Sequence, residues 1–414
     1  MSNRGANAPH RNTPMLPRGV LARKPFLPTI VRVTEPTPKP PPAQLSPLAL
    51  DADAFVRAAR ESARVARPAA LDAYRAFYRA AKSAPWLDPR VPPVVHVLRE
   101  PSPEGEVVKF LTRVPGAGAL RGQAAELDVE SVLVPMMNAK GERTYTLCVS
   151  SQVGCAMGCT FCETGQMGLV RSLAAGEIVA QWWNAAHVLA VRPKNIVFMG
   201  MGEPMDNLDE VLTAIGVLKD HNGPHVAPSQ ITISTVGRVD GIRRLAAKVR
   251  EPGWHRVGLA LSLNAPNDED RSAIMPINRR WNLADVQQAL LDWPRTSGNK
   301  ICVEYVLIPG VNDSPAHAEQ IAAFMRPFGL LEGGRVAGRK VMAMLNLIPY
   351  NPRRNSPWPA PDEAHVADFL RRLIDLGVFA KRRRTKGRDL MGACGQLGTD
   401  RIRRRQLVQV TTPA

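Results

Sequence analysis

The sequence has few cysteines, no long apolar run and a deficit of acidic residues. Only six cysteines occur in 414 residues, which suits a reducing compartment, where clustered cysteines bind metal or carry out redox chemistry. No stretch approaches the roughly 18 uninterrupted apolar residues of a membrane span. The N-terminus also lacks the apolar segment of a signal peptide, so we expect a cytoplasmic protein, with an organellar transit peptide as the alternative.

The deficit of acidic residues gives the chain a strongly basic balance. Its 54 lysines and arginines outnumber 37 aspartates and glutamates, for a formal net charge of +17 at pH 7. A basic protein is drawn to polyanions, because binding releases the counterions of the phosphates. A general bias toward Ala, Arg and Pro would give the same balance, so charge alone leaves a nucleic-acid partner undecided.

Composition divides the chain into five segments. Residues 1–48 are basic and rich in proline without hydrophobic periodicity, which predicts a disordered arm. Residues 49–92 are Ala-rich and amphipathic, which predicts a small helical domain that could bind RNA, although a solvated helix face would give the same pattern. We expect connecting strands in residues 93–143, a barrel in 144–380 and a basic C-terminal segment in 381–414.

Apolar strand candidates alternate with helix-sized amphipathic segments from about residue 127 onward. The strand candidates are 131–137, 144–151, 195–200, 231–235, 257–264, 302–309 and 341–349. Buried strands separated by helices indicate βαβ units and a parallel sheet. About six such units predict an α/β fold with a full or partial (β/α) barrel, whose site would lie at the carboxyl ends of the strands.

Three of the cysteines form one motif, CAMGCTFC, between a predicted strand and a predicted helix. Cys155, Cys159 and Cys162 have neither a fourth cysteine nor a histidine close by in the sequence, whereas a structural zinc site needs four ligands. Iron–sulfur clusters are also usually held by four cysteines. A cluster held by three leaves one iron with an open position, which is useful if a substrate must bind that iron. Structural cysteines or a zinc loop are the alternatives.

The CxxxCxxC spacing resembles that of the radical S-adenosylmethionine (SAM) superfamily. The resemblance implies a [4Fe–4S] cluster whose open iron binds the amino and carboxylate groups of SAM, and a full or partial (β/α) barrel. In that superfamily, reduction cleaves SAM to a 5′-deoxyadenosyl radical. The segments GMGEP (200–204), STVG (234–237), SLNAP (262–266) and LIPYN (347–351) end predicted strands, where a barrel puts its ligand contacts.

Two further cysteines narrow the resemblance. Cys148 in CVSSQVGC and Cys394 in GACGQL, together with GMGEP and LIPYN, resemble the adenine RNA methyltransferases of the dual-specificity ribosomal and transfer RNA type, from about residue 90 to 400. In that family one SAM methylates a C-terminal cysteine, matched by Cys394, and a second SAM yields the radical that takes hydrogen from the S-methyl group. The methylene radical adds to adenine, and a second thiol, matched by Cys148, releases the product as a disulfide forms.

The resemblance also implies a base and a set of SAM contacts. Glu130, in VESVLVP, matches the base that removes the ring proton. The residues that match SAM contacts are Gly202, Glu203, Ser234, Ser262, Leu263, Asn264 and Asn351. The sixth cysteine, Cys302, matches no functional position and is expected in the core.

The chain departs from the family pattern at several positions. Asn264 stands where the family usually has a histidine, Glu163 stands where a small residue is usual, and the segment PMMNAKGERTYT before Cys148 is longer than usual. The basic segments KRRRTKGR (381–388) and RIRRR (401–405) flank Cys394 and could hold RNA phosphates while the base is flipped toward the cluster; solvated segments are the alternative.

The resemblance thus implies a radical SAM methyltransferase that uses two SAM molecules per turnover, and we expect it to be a monomer. Its expected target is carbon 2 of an adenosine in 23S rRNA, with tRNA as a further candidate, and flavodoxin or ferredoxin is the expected reductant. A sister type that methylates carbon 8 and confers antibiotic resistance shares all five cysteines. Two more hypotheses stay open: a radical SAM enzyme that acts on another substrate, and a non-catalytic RNA-binding paralogue with a structural cluster.

Overall fold

The computed structural model of the chain describes residues 45–398, except residues 89, 117–125, 139, 295–300, 333–334 and 337–341. The predicted arm therefore lies outside the described residues up to residue 44, and the segment 401–405 lies wholly outside them. The described residues belong to one compact unit. Among these, no helix combines the length and the apolar character that a membrane span requires.

Ten α-helices and fourteen strands are described. The helices are α1 (Ala52–Ala63), α2 (Arg67–Ala80), α3 (Glu163–Gln166), α4 (Ala175–Trp183), α5 (Leu208–Lys219), α6 (Val239–Lys248), α7 (Asp268–Ile274), α8 (Leu283–Leu291), α9 (Pro315–Met325) and α10 (Glu363–Asp375). The strands are β1 (Val94–Ser102), β2 (Gly105–Pro115), β3 (Glu126–Met137), β4 (Arg143–Cys148), β5 (Gln152–Gly154), β6 (Leu169–Ser172), β7 (Asn195–Phe198), β8 (Ile231–Thr235), β9 (Gly258–Ser262), β10 (Ile301–Leu307), β11 (Leu331–Glu332), β12 (Arg335–Val336), β13 (Ala343–Pro349) and β14 (Ala380–Arg382).

Aromatic side chains join the two N-terminal helices to the rest of the fold. The rings of Phe55 in α1 and Tyr74 in α2 have centroids 5.1 Å apart, and Phe77 of α2 contacts Trp183 at the end of α4, at 5.7 Å. Large buried aromatic surfaces stabilise such contacts. Leu48, in the last residues of the predicted arm, is also buried in this core, so the chain is ordered from at least residue 45.

One ten-stranded sheet carries the rest of the fold, in the order β1-β2-β3-β4-β7-β8-β9-β10-β13-β14. The first four strands pair antiparallel, and the strands from β4 to β14 pair parallel. Helices connect all consecutive parallel strands, as parallel pairing requires. This arrangement confirms the predicted α/β fold with a partial (β/α) barrel.

The strand predictions are right in position and partly wrong in pairing. The seven candidates correspond to β3, β4, β7, β8, β9, β10 and β13. The candidate at 131–137, however, lies in β3, which is antiparallel to both neighbours, so it is not part of a βαβ unit. The candidate at 144–151 is too long, because β4 ends at Cys148 and the chain then turns into the short hairpin of β5 and β6.

The carboxyl ends of the parallel strands gather the sequence motifs at one edge of the sheet. Cys148 ends β4, Thr235 ends β8 and Ser262 ends β9, while the GMGEP segment follows β7 and the LIPYN segment ends β13. Because these strands run in the same direction, the loops that follow them meet on one side. The site is therefore assembled from residues that lie far apart in the sequence.

A turn at Gly154 fixes the start of the three-cysteine loop. The Cys155 amide donates to the Gly168 carbonyl oxygen at 3.0 Å. Gly154 has a φ of +78°, and a Cβ there would lie 1.9 Å from the same carbonyl oxygen. Only glycine adopts this backbone conformation at this close approach without strain.

Substitution of Gly154 tests whether this turn supports the fold. Gly154→Ala is expected to lower the free energy of unfolding by at least about 2 kcal/mol, because the left-handed conformation and the steric overlap both oppose a Cβ. Gly216→Ala is the matched control: it lies within α5 with no atom near its would-be Cβ, so alanine should stabilise the helix by up to about 1 kcal/mol. Urea unfolding of both variants measures the difference. Equal stability of Gly154→Ala and the wild type would contradict the role of the turn.

Candidate active site

The three cysteines of the CAMGCTFC motif line one large cavity. This large cavity, of about 940 Å³ including the solvent at its open mouth, is lined by Cys155, Cys159 and Cys162. Burial raises the pKa of Cys155 to about 12 and also raises the pKa values of Cys159 and Cys162. Thiolates at these positions therefore need a bound cation to compensate their charge, which is what an iron–sulfur cluster supplies.

The spacing of potential ligands argues against a mononuclear metal site. Within the part of the chain that the structure describes, no three His, Cys, Asp or Glu side chains converge closely enough to hold one metal ion. The thiolates of a [4Fe–4S] cluster bind separate irons, so they surround a larger volume and need not converge on one point. The three cysteines thus fit a cluster better than a zinc ion, whose structural sites need four converging ligands.

Five of the seven predicted SAM contacts line the large cavity beside these cysteines. They are Gly202, Glu203, Ser234, Ser262 and Asn264. Leu263 and Asn351 do not line it. The Leu263 amide donates to the Glu304 carbonyl oxygen at 2.9 Å, and the Asn351 amide group reaches the Cys394 carbonyl oxygen at 3.4 Å.

Glu203 is a buried carboxylate that fixes two loops at the rim. One carboxylate oxygen accepts a hydrogen bond from the Met205 amide at 3.1 Å, and the other accepts one from the Val236 amide at 3.0 Å. Burial raises the pKa of Glu203 to about 7 despite these bonds. The side chain therefore shapes the site by holding the segments after β7 and β8, and its own amide is held by the Gln152 side chain at 2.9 Å.

Asn264 shapes the site in a similar way. Its φ is +55°, and its side-chain oxygen accepts a hydrogen bond from the Val306 amide at 3.0 Å. Asparagine and histidine both tolerate this left-handed conformation better than most residues. Nδ1 of a histidine lies as many bonds from the backbone as Oδ1 of asparagine, so the usual histidine could accept the same bond.

Arg271 is a site residue that the sequence did not reveal. Its side chain is fully buried, and its guanidinium donates to the carbonyl oxygens of Leu263 at 3.0 Å, Val236 at 2.6 Å and Ser262 at 3.2 Å. Burial lowers the pKa of Arg271 to about 10. The side chain ties the ends of β8 and β9 together beneath the cavity. Nothing in the acidic, helix-forming segment around Arg271 indicates burial.

Cys148 and Cys394 meet in a second, smaller cavity. This small cavity, with about 520 Å³ of empty space, is lined by both cysteines, and Cys394 also lines the large cavity. Both thiols are free. Burial above all raises the pKa of Cys148 to about 12; a negative charge on Cys394 adds to the rise, and the Arg383 guanidinium opposes it.

Hydrogen bonds hold the Cys394 loop over the site. The Glu163 amide donates to the Gly395 carbonyl oxygen at 2.7 Å. The Thr164 hydroxyl donates to the Leu397 carbonyl oxygen at 2.6 Å. Both donors lie in α3, directly after the three cysteines. The Gln396 amide group donates to the Pro352 carbonyl oxygen at 2.9 Å. Glu163, the unusual residue after the cluster motif, is thus part of this contact.

Glu130, the predicted base, lies beside the Cys394 loop rather than in either cavity. Its carboxylate accepts a hydrogen bond from the Gly398 amide at 2.9 Å and pairs with Lys109, also at 2.9 Å. Lys109 donates in turn to the Met391 carbonyl oxygen at 2.9 Å. In this arrangement Glu130 anchors the loop, and it could accept a proton from RNA only after exchanging these partners.

Cys302 is half-buried among polar groups instead of lying in an apolar core. Its thiol donates to Glu304 at 3.2 Å, and the Asn346 amide group contacts both the sulfur and the Glu304 carboxylate at 3.0 Å. Glu304 lines the large cavity. A charged residue inside the otherwise apolar strand CVEYVLIP was the signal that could have revealed this site residue, because such residues are rarely buried without a function or a partner.

The basic segment 381–388 is largely occupied by contacts within the chain. Arg382 pairs with Glu363, and Lys386 pairs with Glu104 at 3.3 Å. Arg383 lies 3.7 Å from Glu304 and lines both cavities. The prediction that this whole segment holds phosphates therefore does not fit these side chains, whereas Lys381 and Arg384 are exposed.

Two substitutions at Asn264 test its place in the site. Asn264→Ala is expected to cost about 2–4 kcal/mol of stability, because it leaves the Val306 amide without its buried acceptor and puts alanine in a left-handed conformation. Asn264→His should retain most of the stability, since its ring nitrogen can accept the same bond. Urea unfolding of the two variants measures this difference, and equal losses would show that the hydrogen bond does not matter.

Known proteins match this chain over the region that contains most of these motifs. A family model described as the radical SAM superfamily matches residues 149–321. The crystal structure of a radical SAM methyltransferase from Sphaerobacter thermophilus is similar to this chain with a TM-score of 0.69 and 33% identity. The match covers 85% of this chain and 98% of that one. These findings confirm the predicted radical SAM barrel, and with it the [4Fe–4S] cluster and SAM as cofactors.

Relatives from two bacteria cover most of the chain. A probable dual-specificity RNA methyltransferase RlmN 1 of Protochlamydia amoebophila is 42% identical over 303 residues, which are 73% of this chain and 76% of the relative. A dual-specificity RNA methyltransferase RlmN of Lawsonia intracellularis is 40% identical over 297 residues, 70% of this chain and 75% of the relative. The predicted resemblance is confirmed: this chain belongs to the RlmN-type RNA methyltransferase family of the radical SAM superfamily.

Proposed function

We propose that this protein methylates carbon 2 of an adenosine in 23S rRNA, and also in tRNA, through a methyl group carried on Cys394. The observation that carries the proposal is the position of Cys394. It lines the large cavity beside Cys155, Cys159 and Cys162 and also the small cavity beside Cys148. A carrier that must receive a methyl group, lose a hydrogen atom and then be released by a thiol needs access to all of these groups.

Separate sets of residues would bind the cluster and SAM. Cys155, Cys159 and Cys162 would hold the cluster, and Gly202, Glu203, Ser234, Ser262 and Asn264 would contact SAM. Leu263 would support these contacts from behind, whereas Asn351 lines the small cavity and would hold the Cys394 loop. When bound, SAM and the reduced cluster supply a carbon-centred radical that takes a hydrogen atom from the S-methyl group of Cys394. One SAM for each of the two steps gives two molecules per turnover.

Cys394 acts first as a nucleophile and last as a leaving group. Its thiolate accepts the methyl group of the first SAM by direct displacement. After the carbon has been joined to the adenine ring, the adduct must lose one electron, for which the cluster would be the acceptor, and a base removes the ring proton. The Cys148 thiolate then attacks the Cys394 sulfur, a disulfide bond forms and the carbon–sulfur bond to the modified base breaks. The released carbon takes up a proton to complete the methyl group. Glu130 is our candidate for the base, once RNA binding has displaced Gly398 and Lys109 from its carboxylate.

The choice of substrate and setting rests on the family. The relatives named above are dual-specificity RNA methyltransferases, which supports two RNA substrates, and the excess of basic residues favours a polyanionic partner. We assign carbon 2 rather than carbon 8 because the relatives are named as RlmN-type enzymes, which is the carbon-2 type. We further propose that the protein is a cytoplasmic monomer and that flavodoxin or ferredoxin reduces its cluster.

The direct test supplies deuterated-methyl SAM and a reductant to the anaerobically reconstituted protein and a 23S rRNA fragment. Mass spectrometry of the digested RNA should detect labelled 2-methyladenosine. Labelled 8-methyladenosine would instead assign carbon 8. SAM cleavage without any methylated adenosine would refute RNA methylation and favour another substrate.

Substitutions at the two cysteines should separate their roles. Cys394→Ala is expected to abolish turnover without forming an adduct, because no methyl carrier remains. Cys148→Ala should instead accumulate a covalent protein–RNA species, since the thiol that releases it is missing. A denaturing gel detects this species, and Cys148→Ala combined with Cys394→Ala is the control in which it must disappear. If Cys148→Ala produced no adduct but kept its cluster, the releasing role would be wrong.

A further inference from the structure

Arg383 stands where the two cavities of the site meet. Four residues line both the large and the small cavity: Met199, Ile348, Arg383 and Cys394. Arg383 is the one charged residue of these four. About a third of its side-chain surface is exposed, and the cavities it lines are those that hold Cys148 and Cys394. Its guanidinium therefore shares a space with both sulfurs that react in the proposed mechanism.

The fold places this guanidinium without using up its hydrogen-bonding capacity. The Arg383 amide donates to the Leu347 carbonyl oxygen at 2.8 Å, which fixes the backbone at the end of β14. The side chain contacts the Met199 sulfur and the Glu304 carboxylate, each at 3.7 Å. An arginine has five N–H donors, and these long contacts leave most of them available to groups in the cavities.

The contacts of Glu304 place its carboxylate where it orients the Arg383 guanidinium without a close ion pair that would neutralise the positive charge. One of its oxygens accepts hydrogen bonds from Asn346 and from the Cys302 thiol. The other oxygen is buried without a hydrogen-bond partner and faces Arg383 at 3.7 Å. The charge of Arg383 thus remains largely available to the sulfurs, and the pKa of Arg383 is raised above all by the negative charge that Cys394 can carry.

The other basic residues at the small cavity are already paired. Arg384 and Lys386 also line it, but both lie close to Glu104, at 3.4 and 3.3 Å. Cys302 is engaged with Glu304. Among the described residues around the two sulfurs, Arg383 is therefore the cation best placed to act on them, and Glu304 is the acid that faces it.

We propose that Arg383 stabilises the thiolates of Cys394 and Cys148 in succession, so that one guanidinium serves both sulfur-based steps. The inference rests on the proposed function for the order of those steps. A cation beside a thiol favours the nucleophilic thiolate, and two adjacent thiolates oppose each other. One cation between two thiols therefore favours ionisation of one at a time.

The charges of the reacting groups explain why Cys394 ionises before Cys148. When the Cys394 thiolate attacks the methyl carbon of SAM, a sulfur–carbon bond forms, the sulfonium carbon–sulfur bond breaks and S-adenosylhomocysteine leaves. The negative thiolate and the positive sulfonium both become neutral. Arg383 then loses the charge it faced on Cys394, and the repulsion that disfavoured a thiolate on Cys148 is gone. Methylation of Cys394 thus prepares Cys148 for the releasing step.

The test measures thiol ionisation directly on the anaerobically reconstituted holoenzyme. Iodoacetamide alkylation of Cys394 and Cys148 is followed separately by peptide mass spectrometry as a function of pH. In Arg383→Met, Cys394 should react about tenfold more slowly near neutral pH, because loss of the adjacent cation lowers the fraction of thiolate. Arg383→Lys should restore most of the rate. The matched control is Arg382→Met, since Arg382 is the preceding residue of the chain and pairs with Glu363 instead.

Two further variants keep the inference falsifiable if Arg383→Met does not fold. Glu304→Gln removes the acid that competes for the guanidinium and should speed alkylation of Cys394. Cys394→Ala removes the competing charge and should speed alkylation of Cys148. Unchanged titration curves in a folded Arg383→Met, or no acceleration in Glu304→Gln and Cys394→Ala, would overturn the inference. Wild-type RNA methylation is measured in parallel: shifted thiols without methylated adenosine would overturn the proposed function alone, and methylation with unshifted thiols would overturn this inference alone.

Discussion

The arrangement of the site depends on the hydrogen bonds that hold the Cys394 loop against α3, which directly follows the three cysteines, and against β3. Cys394 lies more than two hundred residues after the motif that binds the cluster, and no sheet pairing places it there. Its loop is held by backbone and side-chain groups of Glu163, Thr164 and Glu130. These bonds place Cys394 at the large cavity beside the other three cysteines. The barrel therefore supplies the cofactor site, and in the proposed mechanism the C-terminal loop adds the methyl carrier to it.

Burial makes the hydrogen bonds and ion pairs of the site's charged residues costly to lose. Charged groups within the fold are stable only where partners compensate for lost water, and the site has several: Arg271 under three carbonyl oxygens, Glu203 between two amides, and Glu130 beside Lys109. Glu203 and Arg271 join segments that follow different strands, and Glu130 joins β3 to the Cys394 loop. The residues that set the electrostatics of the site therefore also fix its geometry.

Features that depend on local spacing could be predicted from the sequence. The three-cysteine motif, the parallel strands and five of the seven residues expected at the cavity are of this kind, because a motif that ends a parallel strand must reach the same edge of the sheet. Glu304, Arg271 and Arg383 could not be placed in this way. Their roles depend on which elements lie beside them, and neighbouring strands such as β10, β13 and β14 are separated by whole helices in the sequence. The antiparallel pairing of β3 was missed for the same reason, since strand composition does not specify direction.

The basic C-terminal segment shows how a charge run can serve two purposes. Along residues 381–386, Arg383, Arg384 and Lys386 line the small cavity, and the side chains of Lys381 and Arg384 are exposed to solvent. An exposed ion pair such as that of Arg384 with Glu104 contributes little stability, so a phosphate can replace the carboxylate at little cost. Lys386 also donates to the Pro135 carbonyl oxygen at 2.6 Å, so the same exchange there would break a contact with β3. RNA binding along this segment should therefore use its outward residues alone, which leaves the charge of Arg383 available to the sulfurs while RNA is bound.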